Sequence, residues 1–125
     1  MEDRSVGIEI NGQSYSLLLT TDATAKIAGR FGGLENVESR LREDYEQALG
    51  DVCWLIALLA NQTIIRHNLM CPDDKKQLIT DAYVSVFTSP FEVAEFKDAL
   101  AECFVRGMKR NIISADDESK NGMSG

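Results

Sequence analysis

The dipeptide Asn11-Gly12, with Ile8 and Ile10 on one side and Tyr15 and Leu17 on the other, constrains the fold more than any other feature. Asn and Gly accept the positive φ that both central positions of a tight turn require. The alternation of apolar and polar residues around them reads as two short antiparallel strands. A two-stranded hairpin alone buries too little to persist in water, so it must lie on another layer. The rest of the sequence supplies helices. The chain is therefore expected to be mainly α within the α+β class, with an N-terminal β-hairpin (residues 6–20) packed on a bundle of about four to five helices (residues 22–112).

The 125 residues suffice for one globular domain, expected over residues 1–113, followed by a disordered polar tail at 114–125. Hydrophobic residues make up 44% and charged residues 26%, a globular rather than disordered profile. A net charge of −7 opposes approach to phosphates and anionic lipid, which argues against nucleic acid and membrane as partners. Cys53, Cys71 and Cys103 are odd in number and irregularly spaced. They read as reduced thiols of a cytoplasmic protein, with Cys53 and Cys103 buried. The first residues lack the basic start and apolar core of a secretory signal. The apolar run at 52–60 falls short of the roughly 20 residues of a membrane span and is expected to be a core helix.

Along the chain, Thr21 or Asp22 is positioned to cap a helix whose face Ala23, Ile27 and Phe31 should pack on the hairpin, and Gly32-Gly33 ends it. Leu34, Val37, Leu41 and Tyr45 continue a helical spacing beneath a charged outer face. Leu49, Val52, Leu55, Ile56 and Leu59 then mark the central helix, in which Gly50 suggests close approach by a neighbour. Pro72 followed by Asp73-Asp74 suits a helix opening, with Leu78, Ile79, Ala82, Tyr83 and Val86 on one face. Helix is the reading at 83–87, with strand the alternative. Ser89-Pro90-Phe91-Glu92 carries a capping box, after which Val93, Phe96, Leu100, Cys103 and Phe104 form a buried stripe. Trp54, Phe91, Phe96 and Phe104 read as core aromatics. Arg106, Lys109 and Arg110 fall where a helix end welcomes positive charge.

No constellation for catalysis stands out. His67 and Cys71 are four apart, but two potential ligands do not make a zinc site, and neither metal nor cofactor is expected. A nucleophile with a base and an orienting group is not visible, so an enzyme is not expected. The glycines at 29, 32 and 33 lack the Gly-Lys-Ser/Thr ending of a phosphate loop.

The opening Ile10-Asn11-Gly12-Gln13-Ser14-Tyr15, leading through Leu17 and Leu19 to Thr20-Thr21, resembles that of the tail assembly chaperones of long-tailed bacteriophages and prophages. So does the stretch Arg30-Phe31-Gly32-Gly33-Leu34-Glu35-Asn36. The likeness extends more loosely to residue 113, through the apolar central helix and the late Gly107-Met108-Lys109-Arg110-Asn111-Ile112. It implies a non-enzymatic factor of the bacterial host cytoplasm, absent from the mature virion. Such a factor binds the tape measure protein and tail tube protein during tail morphogenesis. The candidate partner-binding residues are Gln13, Tyr15, Leu17 and Leu19 on the hairpin edge and Arg106, Met108, Lys109, Arg110 and Ile112 on the last helix. Pairing of hairpin edges would make a homo-oligomer. The alternative reading is a small bacterial adaptor or regulatory protein-interaction domain.

Overall fold

The computed structural model describes residues 4–43 and 45–123, with side chains described for 4–42 and 46–108. Strands β1 (Val6–Ile10) and β2 (Gln13–Leu17) pair antiparallel, with Ile8 opposite Tyr15 and Val6 opposite Leu17. Asn11 (φ 56°) and Gly12 (φ 75°) form the expected turn. Among the described residues five α-helices follow: α1 (Thr21–Phe31), α2 (Val37–Glu43), α3 (Tyr45–Met70), α4 (Asp81–Val86) and α5 (Pro90–Met123). A 3-10 turn at Leu34–Asn36 leads into α2. The hairpin on a helical bundle is the α+β arrangement expected.

α3 is the axis. Val52, Leu55, Ile56, Leu59 and Ala60 have no exposed surface, because the hairpin and the other helices cover them. Each fully buried aliphatic side chain contributes about 1.5–3 kcal/mol relative to exposure. The hairpin is tied to this axis where the Leu18 amide donates to the Leu59 carbonyl (3.2 Å) and the Thr63 hydroxyl donates to Ser16 O (3.0 Å). By length and composition the stretch Glu46–Met70 could cross a membrane, and 56% of its most apolar window is buried inside the protein. The helix outruns the apolar run at 52–60 because flanking polar residues continue its hydrogen bonding on both sides.

Several local expectations are corrected. Thr20, rather than Thr21 or Asp22, caps α1, accepting from the Ala23 amide (3.0 Å). Its hydroxyl also donates to the buried Gln62, so the cap is welded to α3. The face Ala23, Ile27 and Phe31 is buried as expected, but α1 makes its main contacts with α3 and the 3-10 turn rather than the hairpin. Phe31 meets Trp54 edge-on at 6.2 Å. Gly32 (φ 86°) ends α1 in the left-handed conformation foreseen.

Pro72 does not open a helix. Asn68 clamps both backbone groups of Lys76 (2.8 and 2.9 Å), and Asn61 does the same to Ile79 (2.9 and 2.8 Å). These two side-chain amides hold the segment between α3 and α4 extended, and a helix there would break all four bonds. α4 begins only at Asp81, with Thr80 as cap, and residues 83–86 are helical. Leu78 and Val86 are exposed rather than on a buried face.

The capping box at Ser89 is present: the Glu92 carboxylate accepts from the Ser89 amide (2.8 Å), and the Ser89 hydroxyl accepts from the Glu92 amide (3.3 Å). Val93, Phe96, Leu100 and Cys103 are buried, whereas Phe91, expected in the core, is 72% exposed at the first turn. α5 continues to Met123 through most of the stretch expected to be a disordered tail. No proline or glycine falls between 108 and 121, and such a run can prolong a helix already nucleated by packing. Arg106 consequently lies mid-helix rather than at a helix end.

Gly50 also departs from expectation, since a Cβ there would meet nothing within 4 Å. The close approach belongs to Gly107, where a Cβ would stand 2.9 Å from Leu19 Cβ and 2.8 Å from its Cδ2.

Candidate docking groove

Three side-chain groupings stand out among the described residues. The first is buried. Asp51, 1% exposed, accepts from Arg30 Nε (3.2 Å) and Nη2 (3.0 Å), and Arg40 Nη2 lies 3.6 Å from its other oxygen, which has no hydrogen-bond partner. Arg30 stacks over Trp54 (4.5 Å) and Arg40 over Phe31 (4.8 Å). One carboxylate on α3 thus gathers a guanidinium from α1 and another from α2, each lying on an aromatic face. The grouping has the makings of a brace: its charges are spent on one another and on aromatic rings.

The second lies beside β2, where Gln13, Tyr15, Thr63, His67 and Lys76 line a cleft of about 450 Å³. His67 Nε2 is 2.8 Å from the Asp74 carbonyl and 3.3 Å from its carboxylate, and Tyr15 shares a 3.0 Å hydroxyl contact with Tyr83. Burial, with help from Tyr83, pushes the Tyr15 phenol up to about 12. No group of three metal-ligating side chains occurs among the described residues. Cys53 and Cys103 are buried free thiols and Cys71 is exposed; burial pushes the Cys103 thiol up to about 11 and raises that of Cys53.

The third is an apolar groove of about 470 Å³ between α2 and α5. Leu34, Val37 and Leu41 form one wall, and Leu100, Ala101, Phe104 and Val105 the other. Only its rim is charged, with Glu35, Glu38, Arg42 and Lys97. Val105 (57% exposed) and Met108 (48%) prolong the apolar surface along α5.

The residues singled out from sequence separate cleanly. Leu17 (0% exposed) and Leu19 (6%) are core residues, so no partner surface includes them. They face inward because β2 lays that side of its pleat on the helices, and Leu19 sits under Gly107. Gln13 is exposed at the turn, and Tyr15 is half-buried against Tyr83. Arg106 donates to Ser5 O (2.7 Å) and pairs with Glu102 (2.6 Å), so it fastens the start of the chain to α5. Met108 adjoins the groove. Lys109, Arg110 and Ile112 lie on the α5 backbone, and their side chains fall outside the described residues.

The groove itself was missed in the sequence. Its signal was a second stripe on α5, Ala101, Val105 and Met108 at spacings of four and three, offset from the buried stripe through Leu100 and Cys103. Compared with known proteins, the chain matches no family model, no curated protein and no solved structure. Fold and site together define a helical protein with a two-stranded hairpin and an apolar groove between α2 and α5.

Proposed function

We propose that this chain is a tail assembly chaperone of a long-tailed bacteriophage or prophage. It binds the tape measure protein and tail tube subunits in the host cytoplasm during tail morphogenesis, without catalysis, and is left out of the mature virion. The observation that carries the reading is the apolar groove between α2 and α5, which opens on the surface of an acidic protein. A long helical, aggregation-prone chain needs its apolar faces covered until tube subunits replace the cover, and a net charge of −7 keeps the covered complex dispersed. The resemblance in the hairpin and α1 supplies the particular partner.

The test is co-expression with the tape measure protein of the same phage or prophage genome. The tape measure protein should remain soluble and co-purify with this chain, and should aggregate when the chain is omitted. Equal solubility with and without the chain, and no co-purification, would remove the proposal.

A further inference from the structure

The outer edge of β2 is only partly paired. Around a two-residue turn of positive φ, the flanking residues Ile10 and Gln13 exchange both main-chain hydrogen bonds, and such pairs alternate along the ladder with pairs that exchange none. Ile8 and Tyr15 therefore bond, as do Val6 and Leu17, whereas Ser14 and Ser16 turn their amide and carbonyl groups away from β1. α3 meets part of this outward row: the Thr63 hydroxyl donates to Ser16 O, and the Leu59 carbonyl accepts from the Leu18 amide. The Ser14 amide and carbonyl and the Ser16 amide have no hydrogen-bond partner among the described residues, and both serines are exposed.

This edge forms one wall of the cleft beside β2. The opposite wall is the extended return segment, where Asn68 and Asn61 occupy the backbone groups of Lys76 and Ile79 and leave those of Gln77 without a partner among the described residues. Thr63, Ile64 and His67 of α3 make the floor, and a second hollow sharing Thr63 and His67 carries the trough on to Arg66 and Met70. In a chain with 20 acidic and 13 basic residues, no carboxylate lines either hollow. Asp74, the nearest one described, is engaged by His67 (3.3 Å), while the side chains of Lys76 and Arg66 have no ion-pair partner among the described residues.

We infer that this cleft takes an extended, acidic segment of a partner polypeptide, which adds to the hairpin as a third strand beside β2. The inference goes beyond the proposed function and holds for any partner that carries such a segment. Unpaired main-chain groups at the strand repeat are met by another extended backbone, whereas a helix spends its own peptide groups internally. Alternate side chains of the added strand point down onto Ile64 and up to the rim. At the rim Lys76 and Arg66 supply the positive charge that favours carboxylates, against the repulsion of the chain as a whole. The return segment on the far wall leaves room for a single strand, which is why a peptide segment rather than the hairpin of a second copy is the occupant.

The experiment uses the full chain and a capped synthetic peptide of about eight residues, alternating Val with Glu. A control peptide carries Lys in place of Glu. Amide hydrogen exchange read by NMR should slow about tenfold or more at Ser14 and Ser16 when the acidic peptide is saturating. Lys76→Glu and Arg66→Glu should each weaken binding by about twofold to fivefold. Ser14→Pro removes a donor that the hairpin ladder does not use and should weaken binding by about tenfold. If that proline unfolds the hairpin, the charge reversals and the exchange of Ser14 and Ser16 decide the matter.

Equal binding of the Lys peptide would overturn the acidic assignment. Binding without slowed exchange at the two serines would overturn strand addition, and amide shifts centred on Leu41 and Val105, or no binding at all, would overturn the site. A free chain that is dimeric, with Ser14 and Ser16 already protected, would overturn it too by giving the edge to a second copy.

Discussion

α3 is sealed on the side that faces the hairpin and α1, whereas α2 and α5 leave between them a trough that none of the described residues fills. On the sealed side buried polar groups meet partners from other elements: Thr20 meets Gln62, one Asp51 oxygen meets Arg30 while the other has no hydrogen bond, and the Leu18 amide meets the Leu59 carbonyl. On the open side, Val105 and Met108 face solvent and the charges stand at the rim. Close packing therefore belongs to one face and the proposed recognition to the other, and substitutions should sort accordingly.

The largest effect is expected at the centre of the sealed side. Leu59→Ala should destabilise the fold by about 2–5 kcal/mol, read as a lower urea midpoint with an unchanged slope. A loss under 1 kcal/mol would mean that the face is not closely packed. Alkaline pH should weaken the same side next. Cys103 ionises near its ordinary 9.0 once unfolded but only at about 11 when folded. Stability is thus level below about pH 9 and falls between pH 9 and 11, as the unfolded chain releases the proton first. Unfolding in urea at pH 8 and at pH 10.5 measures the fall, which Cys103→Val should reduce. Asp51→Ala ranks third, at about 1–3 kcal/mol, because Arg30 and Arg40 are both partly exposed and can rehydrate.

Gly50 of α3 and Gly107 of α5 divide the molecule more finely. Gly107→Ala drives a methyl into Leu19 and should cost about 1–2 kcal/mol even after the gain in helix propensity. Gly50→Ala enters open space and should stabilise by up to about 1 kcal/mol. Thermal melts of both variants give the comparison directly, and equal shifts would break it. The smallest effect is expected from Val105→Asp, within about 0.5 kcal/mol in stability, together with loss of tape measure capture. A large drop in melting temperature would show that the trough belongs to the core.

Elements whose causes are local could be read from the sequence. The Asn11-Gly12 turn, the glycine end of α1, the Ser89 capping box and the buried stripe of α5 each depend on residues within a few positions of one another. Where a distant side chain decided the outcome, sequence reading failed. Pro72-Asp73-Asp74 has the residues of a helix start, but Asn61 and Asn68 impose an extended backbone just beyond it. Phe91 has the character of a core residue, yet at the first turn of α5 no element covers it. Gly50 and Gly107 look alike in sequence, and only the position of Leu19 distinguishes them. For the candidate site, Met108 was identified and the trough beside it was not, since it exists only where the flank of α5 stands opposite α2.

The asparagine clamps have a further consequence for tolerance to change. Each side-chain amide imitates the peptide unit of a neighbouring strand, so the return from α3 to α4 is riveted at Lys76 and Ile79 in place of sheet pairing. Extra residues inserted at 72–74 would enlarge an untethered arc at slight entropic expense. A single residue inserted at 77 or 78 would throw the second rivet out of register and pull Thr80, the cap of α4, away with it.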